Sequence, residues 1–505
     1  MKKNFFRVFA MSALLALGVN GAQAQRSYDC PPLNPEWQTM AEEVVAKNME
    51  DPEEANKIFM KLSRKIKGNK EDLVAVGTFF LDKDNYPAAS QCAKAVYELD
   101  PTYIPGLMFS GEVYMKAQRW GDAGQKFDEV LTIEPENVAA LKRNAFVYKN
   151  VNPHVAIDAL NKIKEVDPSY YIASKDLGDI YYKLDQYKDA IKNYEDYYKA
   201  APKDATLDIH SCENFLQSLY SQADFARITE LTAELLPLAP KDMVIRRMDF
   251  FAKVNKIAES IDIDGAVKVA EEAAAYLSDP EYADSFYIAL DYEYAAALAK
   301  EKDDIPAAVA AYEKAVKKDE SKLNNYKELA KLYSRNKEAD KAIATYKTYL
   351  DKKGDKVDIT DYFGLGQEYL KATRMTNDSI KKMEYVIAGD SAFAKVLEKE
   401  PDYYKAVMQQ AALYITDASK PQDKPRELYE KALAMMPAEG DGKSKEEDVL
   451  GANPFRHLAA QYLAFYYAQK EDFDMCRKYV DLMLKADPES SSAKNFDATL
   501  KSMNK

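Results

Sequence analysis

The chain has 505 residues, of which 47% are hydrophobic and 30% are charged. This balance is typical of a globular protein with enough apolar material for a core, and it excludes a disordered or collagen-like chain. A net charge of −13 makes nucleic acid and anionic lipid surfaces poor partners. Only three histidines are available for metal binding or acid–base chemistry.

Residues 1–24 have the three parts of a secretory signal peptide. Three cations precede an apolar run over residues 8–19, and the run leads to Ala22-Gln23-Ala24. The run is too short to cross a hydrocarbon core of about 30 Å, and no other segment is long and apolar enough. We therefore expect cleavage after Ala24, a linker over residues 25–35, and no integral membrane segment in the mature chain. The leader carries +3, which leaves −16 on the remainder.

The compartment follows from this leader and from the cysteines. The residues before Cys30 lack the small apolar side chains expected ahead of a lipid-modified cysteine, so the sequence predicts a periplasmic protein without an anchor. The four cysteines are too scattered for a disulfide framework. Cys92 and Cys476 lie in helical patterns, where we expect them to act as small buried residues.

A period of about 34 residues follows the linker. Pro101, Pro135, Pro168 and Pro202 are separated by 34, 33 and 34 residues. Small and large residues recur at fixed offsets within each period. The clearest sets are Gly77, Phe80, Ala89, Ala93 and Pro101; Gly111, Tyr114, Ala123, Phe127 and Pro135; and Gly178, Tyr181, Ala190, Tyr194 and Pro202.

This pattern resembles the tetratricopeptide repeat (TPR), in which G-x2-Y is followed by A-x3-F and then by proline. The resemblance covers most of the chain after the leader, although the consensus tryptophan is missing. It implies an all-α fold, an α-α superhelix or TPR solenoid of about 11–12 helical hairpins with a C-terminal capping helix. Regular repeats are expected over residues 36–202, degenerate helical repeats over 203–288, and a second array with insertions between helices over 289–505.

The spacing also has a direct physical reason. Two helices approach closely where their facing residues are small, and the rings beside such contacts fill the remaining space. One pair cannot enclose a core, so neighbouring pairs must stack. This packing accounts for the unusually high count of 36 tyrosines.

No catalytic or metal-binding constellation is found. His154, His210 and His457 belong to distant repeats, which do not meet in a linear array. Phosphate-binding, nucleophile-elbow and zinc-protease motifs do not occur. The insertions near 373–388, 417–424 and 438–454 are too short for an enzyme domain. We therefore expect a non-enzymatic protein without cofactors.

The resemblance implies that the first helix of each pair lines a concave groove. A protein or peptide partner would then contact the first-helix face that the helix packing leaves free. The positions on that face are Met108, Glu112, Met115, Lys142, Phe146, Lys149, Lys175, Asp179, Tyr182, Phe363, Leu370, Met408, Ile415 and Phe465. The later ones are more apolar, unless the insertions fold back and cover them.

The function predicted from the sequence is an exported scaffold that binds another protein in the cell envelope. The alternative is a periplasmic helical-repeat protein that binds glycans or another small ligand through aromatic rings. Aromatic rings clustered on the protein surface, outside the packing positions, would favour glycan or small-ligand binding.

Overall fold

The computed structural model describes residues 28–202, 207–260, 263–280, 282–437 and 445–503. The signal peptide predicted over residues 1–24 lies outside these ranges. The described residues form 25 α-helices and two short 3-10 helices, without a β-strand. They divide into two compact units, Met1–Lys256 and Ile257–Lys505, which are described separately.

Unit 1 contains twelve complete helices and most of a thirteenth, which crosses the unit boundary. They are α1 (Pro35–Glu50), α2 (Pro52–Lys65), α3 (Lys70–Asp82), α4 (Tyr86–Leu99), α5 (Ile104–Lys116), α6 (Trp120–Ile133), α7 (Val138–Tyr148), α8 (Pro153–Val166), α9 (Ile172–Lys183), α10 (Tyr187–Ala200), α11 (Ile209–Ser221), α12 (Phe225–Leu235) and α13 (Met243–Ser260). From α1 to α12, each odd-numbered helix packs on the even-numbered helix that follows, which gives six pairs.

Unit 2 repeats this arrangement. Its helices are α14 (Ile263–Leu277), α15 (Ala289–Glu301), α16 (Ile305–Lys318), α17 (Leu323–Arg335), α18 (Ala339–Lys353), α19 (Ile359–Thr373), α20 (Ser379–Lys399), α21 (Tyr404–Leu413), α22 (Asp423–Met435), α23 (Glu446–Gln469), α24 (Phe473–Ala486) and α25 (Ser491–Ser502), with 3-10 turns at Asp284–Phe286 and Gly354–Lys356. Five pairs run from α15 to α24, and α25 packs on α24. The eleven pairs and the terminal helix confirm the predicted all-α repeat fold.

In seven of the eleven pairs, the turn between the two helices contains a residue in the left-handed backbone region. Seven non-glycine residues have φ between 55° and 62°, and each lies between a first helix and its second helix. They are Asp84, Gln118, Asp185, Ala223, Asp303, Lys337 and Glu471. One such residue ends the helix and reverses the chain, which brings the second helix back against the first.

The cores of the pairs α5–α6 and α9–α10 follow the predicted pattern of small and large residues. Ala123 and Phe127 are fully buried in α6, and Ala190 and Tyr194 are buried in α10. The rings lie directly over the glycines of the first helix and not merely beside them. A β-carbon at Gly111 would come within 2.4 Å of the Phe127 ring. The Phe127 ring therefore occupies the space that a side chain at position 111 would need.

Many residues of the insertions predicted in unit 2 belong to long helices. Within the segment near 373–388, the residues from Ser379 onward form the start of α20, which has 21 residues, and residues 446–454 belong to α23, which has 24. Residues 438–444 lie outside the described ranges. The segment at 417–424 is the connection from α21 to α22 and includes the first residues of α22.

Cys30, Cys92 and Cys476 are free thiols. Cys92 and Cys476 are buried within helix pairs, as predicted. Burial raises the pKa of the Cys92 thiol to about 12. This thiol is therefore a neutral apolar group at physiological pH.

Candidate functional site

The predicted groove positions recur at fixed offsets from the small residue of each first helix. On α5 this residue is Gly111, and the groove positions are Met108, Glu112 and Met115. Met108 is only 1% exposed, and Met115 is half-buried. Glu112 forms an ion pair of 2.5 Å with Arg143 of α7. The α5 positions are thus covered or already paired.

The α7 positions form the most open part of this surface. Phe146 is 44% exposed, and the Lys149 Nζ lies 4.4 Å from the centroid of the Phe146 ring. The exposed Trp120 ring of α6 lies 6.2 Å from Phe146. Lys142 points its Nζ at the Tyr170 ring, 3.5 Å from the centroid, and burial lowers the pKa of this lysine. We call Trp120, Phe146 and Lys149 the aromatic patch.

The α9 positions are held in a network of charges. The Lys175 Nζ lies 3.1 Å from Asp176, 3.6 Å from Asp179 and 3.2 Å from Asp208 of the next repeat. Burial alone would lower the pKa of Lys175, but these carboxylates outweigh it and raise the pKa. The paired charges stabilise the lysine in its ionised form.

The remaining α9 positions also contact the neighbouring helix. The Asp179 carboxylate accepts hydrogen bonds from Tyr194 at 2.8 Å and from Ser211 at 2.9 Å. The Tyr182 hydroxyl donates to Gln217 at 2.8 Å. These groups join α9 to α11, so a partner would have to compete with internal hydrogen bonds.

The predicted apolar surface of unit 2 is wrong at two positions. Leu370 and Met408 are buried, because Leu370 packs in a cluster with Val386 and Phe393 while Met408 packs in the cluster that includes Tyr429. As with Met108, these side chains are covered by neighbouring parts of the chain.

The other three unit 2 positions are half-buried. Phe363 contacts the rings of Phe393 and Tyr403, with centroids 5.5 and 5.7 Å apart. Ile415 packs against the cluster that contains Met408, and Phe465 is half-buried on α23. Phe363 thus packs against one ring of its own pair and one ring at the start of the next pair.

Trp120 is not among the groove positions predicted from the repeat spacing. It begins the second helix α6 and so stands outside the first-helix positions, yet the fold brings it beside Phe146 of the next pair. The sequence feature that could have indicated Trp120 as a surface residue is that this tryptophan does not occupy a packing position of the repeat. Such a large ring on a surface helix is a usual anchor for binding.

The structure brings together no ligand set for a metal within the described ranges, where no group of three histidine, cysteine or acidic residues has suitable geometry. The three histidines lie on α8, α11 and α23. Of the helices that the structure describes, none has both the length and the apolar character needed to cross a membrane.

Comparison with known proteins points to one family. A model of the tetratricopeptide repeat matches residues 148–205. A TPR repeat-containing protein of Methanocaldococcus jannaschii is 26% identical over 322 residues, which cover 56% of each chain. Sperm-associated antigen 1 of Rattus norvegicus is 32% identical over 101 residues, which cover 20% of this chain and 10% of that protein. The chain thus spans about half of the first relative and a small part of the second.

A solved structure of a TPR repeat-containing protein aligns with part of the chain. The C-terminal part of a TPR repeat-containing protein from Cytophaga hutchinsonii covers 56% of this chain and 98% of its own, with 19% sequence identity and a TM-score of 0.41. The matched family model covers α8 and α10 with the first helix between them, and the same pairing recurs in both units. Residues 148–205 thus match the tetratricopeptide repeat, and the chain as a whole is similar to proteins that contain this repeat.

Proposed function

We propose that this protein is an exported, non-enzymatic scaffold of the cell envelope that binds a protein partner through the first-helix surface of unit 1. Stacked helical repeats present extended surfaces of this kind for binding other proteins. The observation that supports the proposal is the aromatic patch. Its rings and its lysine are accessible, while the equivalent positions on α5 and α9 are buried or paired.

The chemistry of the patch favours an apolar anchor with an acidic neighbour. Trp120 and Phe146 can bury apolar surface of a partner, and Lys149 can pair with a carboxylate at the edge of the contact. Energetic contributions in protein interfaces concentrate in a few such aromatic and cationic residues. Loss of the ring and reversal of the charge should therefore remove most of the affinity.

The first prediction concerns the double variant Phe146→Ala with Lys149→Glu. Chemical crosslinking in intact cells, followed by affinity purification and mass spectrometry, should yield a partner with the wild-type chain and about tenfold less of it with the variant. Both side chains are at least partly exposed, so the variant should unfold at the same temperature as the wild-type protein.

The matched control is Lys94→Glu with Tyr97→Ala on α4. This pair has the same three-residue spacing of a lysine and an exposed ring, but it lies on a second helix. The control should retain full capture. Equal capture by both double variants would remove the aromatic patch from the proposed interface.

The proposed location in the periplasm is supported by the leader over residues 1–24. Cell fractionation should recover the protein with periplasmic markers, and sequencing of the purified protein should begin at Gln25. Recovery with the cytoplasmic fraction and an intact Met1 would contradict export.

Glycan binding is the second candidate, and the aromatic patch also favours it, because Trp120 and Phe146 form a pair of exposed rings outside the packing positions. The two ring planes are inclined by 56°, so a flat sugar ring could stack on one of them at a time. Calorimetric titration with envelope oligosaccharides separates the two functions. Binding that disappears in a Trp120→Ala variant would favour the glycan function.

A further inference from the structure

The residues before α1 lie against the first helices of unit 1. The segment Tyr28–Leu33 is described without helical structure and precedes the N-cap Asn34. The Tyr28 hydroxyl and the Thr78 Oγ1 of α3 are hydrogen-bonded at 2.7 Å. The Tyr28 ring packs against two apolar clusters, one of which contains Met108 of α5. The segment therefore contacts α3 and α5 on one side.

These contacts fall on the groove positions. Thr78 is the residue after Gly77 on α3, and it corresponds to Phe146, the residue after Ala145 on α7. Met108 lies three residues before Gly111 on α5, and it corresponds to Lys142, which lies three residues before Ala145. Thr78 and Met108 are 2% and 1% exposed, whereas Phe146 is 44% exposed and Lys142 is half-buried. Thr78 and Met108 are thus buried on the two helices that the Tyr28 side chain approaches, whereas Phe146 is exposed on α7.

The segment has the sequence of an extended peptide. It reads Tyr-Asp-Cys-Pro-Pro-Leu, and its two consecutive prolines restrict the backbone to extended conformations. An extended proline-containing peptide loses little conformational entropy on binding, and aromatic-lined surfaces recognise such peptides widely. Tyr28 adds an anchor that is apolar along its ring and polar at its end.

The groove continues beyond the tyrosine. A cleft of about 830 Å³ is lined by Tyr28 and Asp29 of the segment and by Tyr103, Met108 and Asn137 of the repeats. At one wall, Lys70 forms an ion pair of 2.6 Å with Asp100, and its Nζ lies 4.3 Å from the Tyr103 ring centroid. The surface is therefore longer than the part that Tyr28–Leu33 covers.

We propose that Tyr28–Leu33 is a built-in ligand of the groove on α3 and α5, and that a partner binds there by replacing it with an extended, proline-containing peptide that presents a tyrosine to Thr78 and Met108. This inference rests on the proposed function, because it takes the first-helix surface as the partner site. The tethered segment competes with any free peptide at a high effective concentration. The groove is consequently closed to weak ligands.

The test uses the full chain and a fluorescent peptide of residues 26–34 with Cys30→Ser. A Tyr28→Ala chain has a weakened internal competitor, so fluorescence anisotropy should show that it binds the peptide about tenfold more tightly than the wild-type chain does. A peptide that also carries Tyr28→Ala should bind neither chain. A Thr78→Val substitution in the Tyr28→Ala chain should weaken peptide binding again, because it removes the hydroxyl partner.

The control chain is Tyr97→Ala, which removes a partly exposed tyrosine from α4 and should bind the peptide no better than the wild type. Equal affinity of the Tyr28→Ala and wild-type chains for the peptide would overturn the proposal, and so would equal binding of the peptide that lacks tyrosine. A large fall in the unfolding temperature of Tyr28→Ala without any peptide binding would also overturn it, since the segment would then be a fixed part of the fold.

This result is independent of partner capture through Phe146 and Lys149. Absence of peptide exchange, with capture still dependent on those residues, would contradict only the built-in ligand. Loss of capture dependence, with peptide exchange intact, would contradict only the proposed use of the aromatic patch.

Discussion

At the scale of single residues, the close approach of paired helices depends on a ring that occupies the space of a missing β-carbon. A β-carbon at Gly178 would lie 2.6 Å from the Tyr194 ring, and one at Gly366 would lie 2.5 Å from the Phe393 ring. Contacts this short force the ring or the helix to shift. Because protein interiors are tightly packed, such shifts are costly.

Gly366→Ala is therefore expected to destabilise unit 2 even though alanine is the better helix former. Overpacking costs about 1–3 kcal/mol, whereas the change from glycine to alanine within a helix contributes about 0.5–1 kcal/mol in the opposite direction. Chemical denaturation followed by circular dichroism should show a lower midpoint.

Gly451→Ala is the matched control in the same unit. Gly451 lies inside α23, and among the residues that the structure describes a β-carbon there would meet no heavy atom within 4 Å beyond its chain neighbours and the backbone of its own helix. This variant should be slightly more stable than the wild-type protein. A Gly366→Ala protein as stable as Gly451→Ala would show that the helices are not closely packed at Gly366.

At the scale of helices, neighbouring pairs are joined by hydrogen bonds from tyrosines to carboxylates. Tyr148 of α7 donates to Asp128 of α6 at 2.8 Å, and Tyr333 of α17 donates to Glu313 of α16 at 2.5 Å. Both links span 20 residues and connect a first helix to the preceding second helix. Burial, with the adjacent Asp128, raises the pKa of Tyr148 to about 12, so its hydroxyl remains a donor at neutral pH. The tyrosines therefore connect repeats as well as filling space.

Asp361 joins three helices of unit 2. Its buried carboxylate on α19 accepts hydrogen bonds from Tyr349 of α18 at 2.7 Å, from Lys327 of α17 at 3.3 Å and from Lys353 of α18. Burial alone would raise the pKa of Asp361, but the hydrogen bonds from these three groups outweigh it and hold the pKa below its usual value.

We expect this site to make unit 2 sensitive to acid. Because the folded-state pKa is lowered, the stabilisation is complete above the ordinary carboxyl pKa of about 4 and is lost as the pH falls through the folded-state value. Asp361→Asn should be less stable than the wild-type protein at about pH 6, and the difference should shrink towards about pH 3. Denaturation midpoints measured across this range test the prediction.

Asp303→Asn is the control for a surface ion pair. Asp303 lies on an exposed turn and pairs with Arg335 at 2.7 Å. An exposed pair contributes little, so this variant should match the wild-type protein at both pH values. A difference between Asp361→Asn and the wild type that does not change with pH would contradict the titration of Asp361.

At the scale of the whole molecule, an array of repeats must protect its last apolar surface from water. In unit 2 the terminal helix α25 performs this role. Ala493 and Leu500 of α25 are buried in the cluster that contains Val480 and Met483 of α24, while Thr499 is exposed. A polar outer face on a terminal helix is what an end cap requires.

Leu500→Asp should open this end of the array. A buried carboxylate without a partner is expected to cost about 2–4 kcal/mol, and the exposed cluster should bind a hydrophobic dye and promote association. Dye fluorescence and size-exclusion chromatography measure these effects. Thr499→Asp places the same charge on the adjacent exposed position and should leave both readouts unchanged, whereas wild-type behaviour of Leu500→Asp would exclude α25 as a cap.

Much of the helix order could be predicted because the repeat is a local property. The offsets among Gly111, Ala123 and Phe127 record which residues must be small and which must be large for two helices to pair. The groove was less predictable. Met108 has the offset of a groove residue, but it is buried in a cluster against which Tyr28, a residue of no repeat, also packs.

The sequence by itself determined the fold class, the pairing of successive helices and the burial of Cys92 and Cys476, because each depends on side-chain size at fixed spacing along one helix pair. Only the tertiary structure decided which groove positions are open. The aromatic patch requires Trp120 and Phe146 from different pairs, and the closed groove on α3 and α5 requires the Tyr28–Leu33 segment to return to it. The exposure of a side chain depends on all residues that are near it in space. The periodicity of the sequence predicts only the neighbours that belong to the repeat.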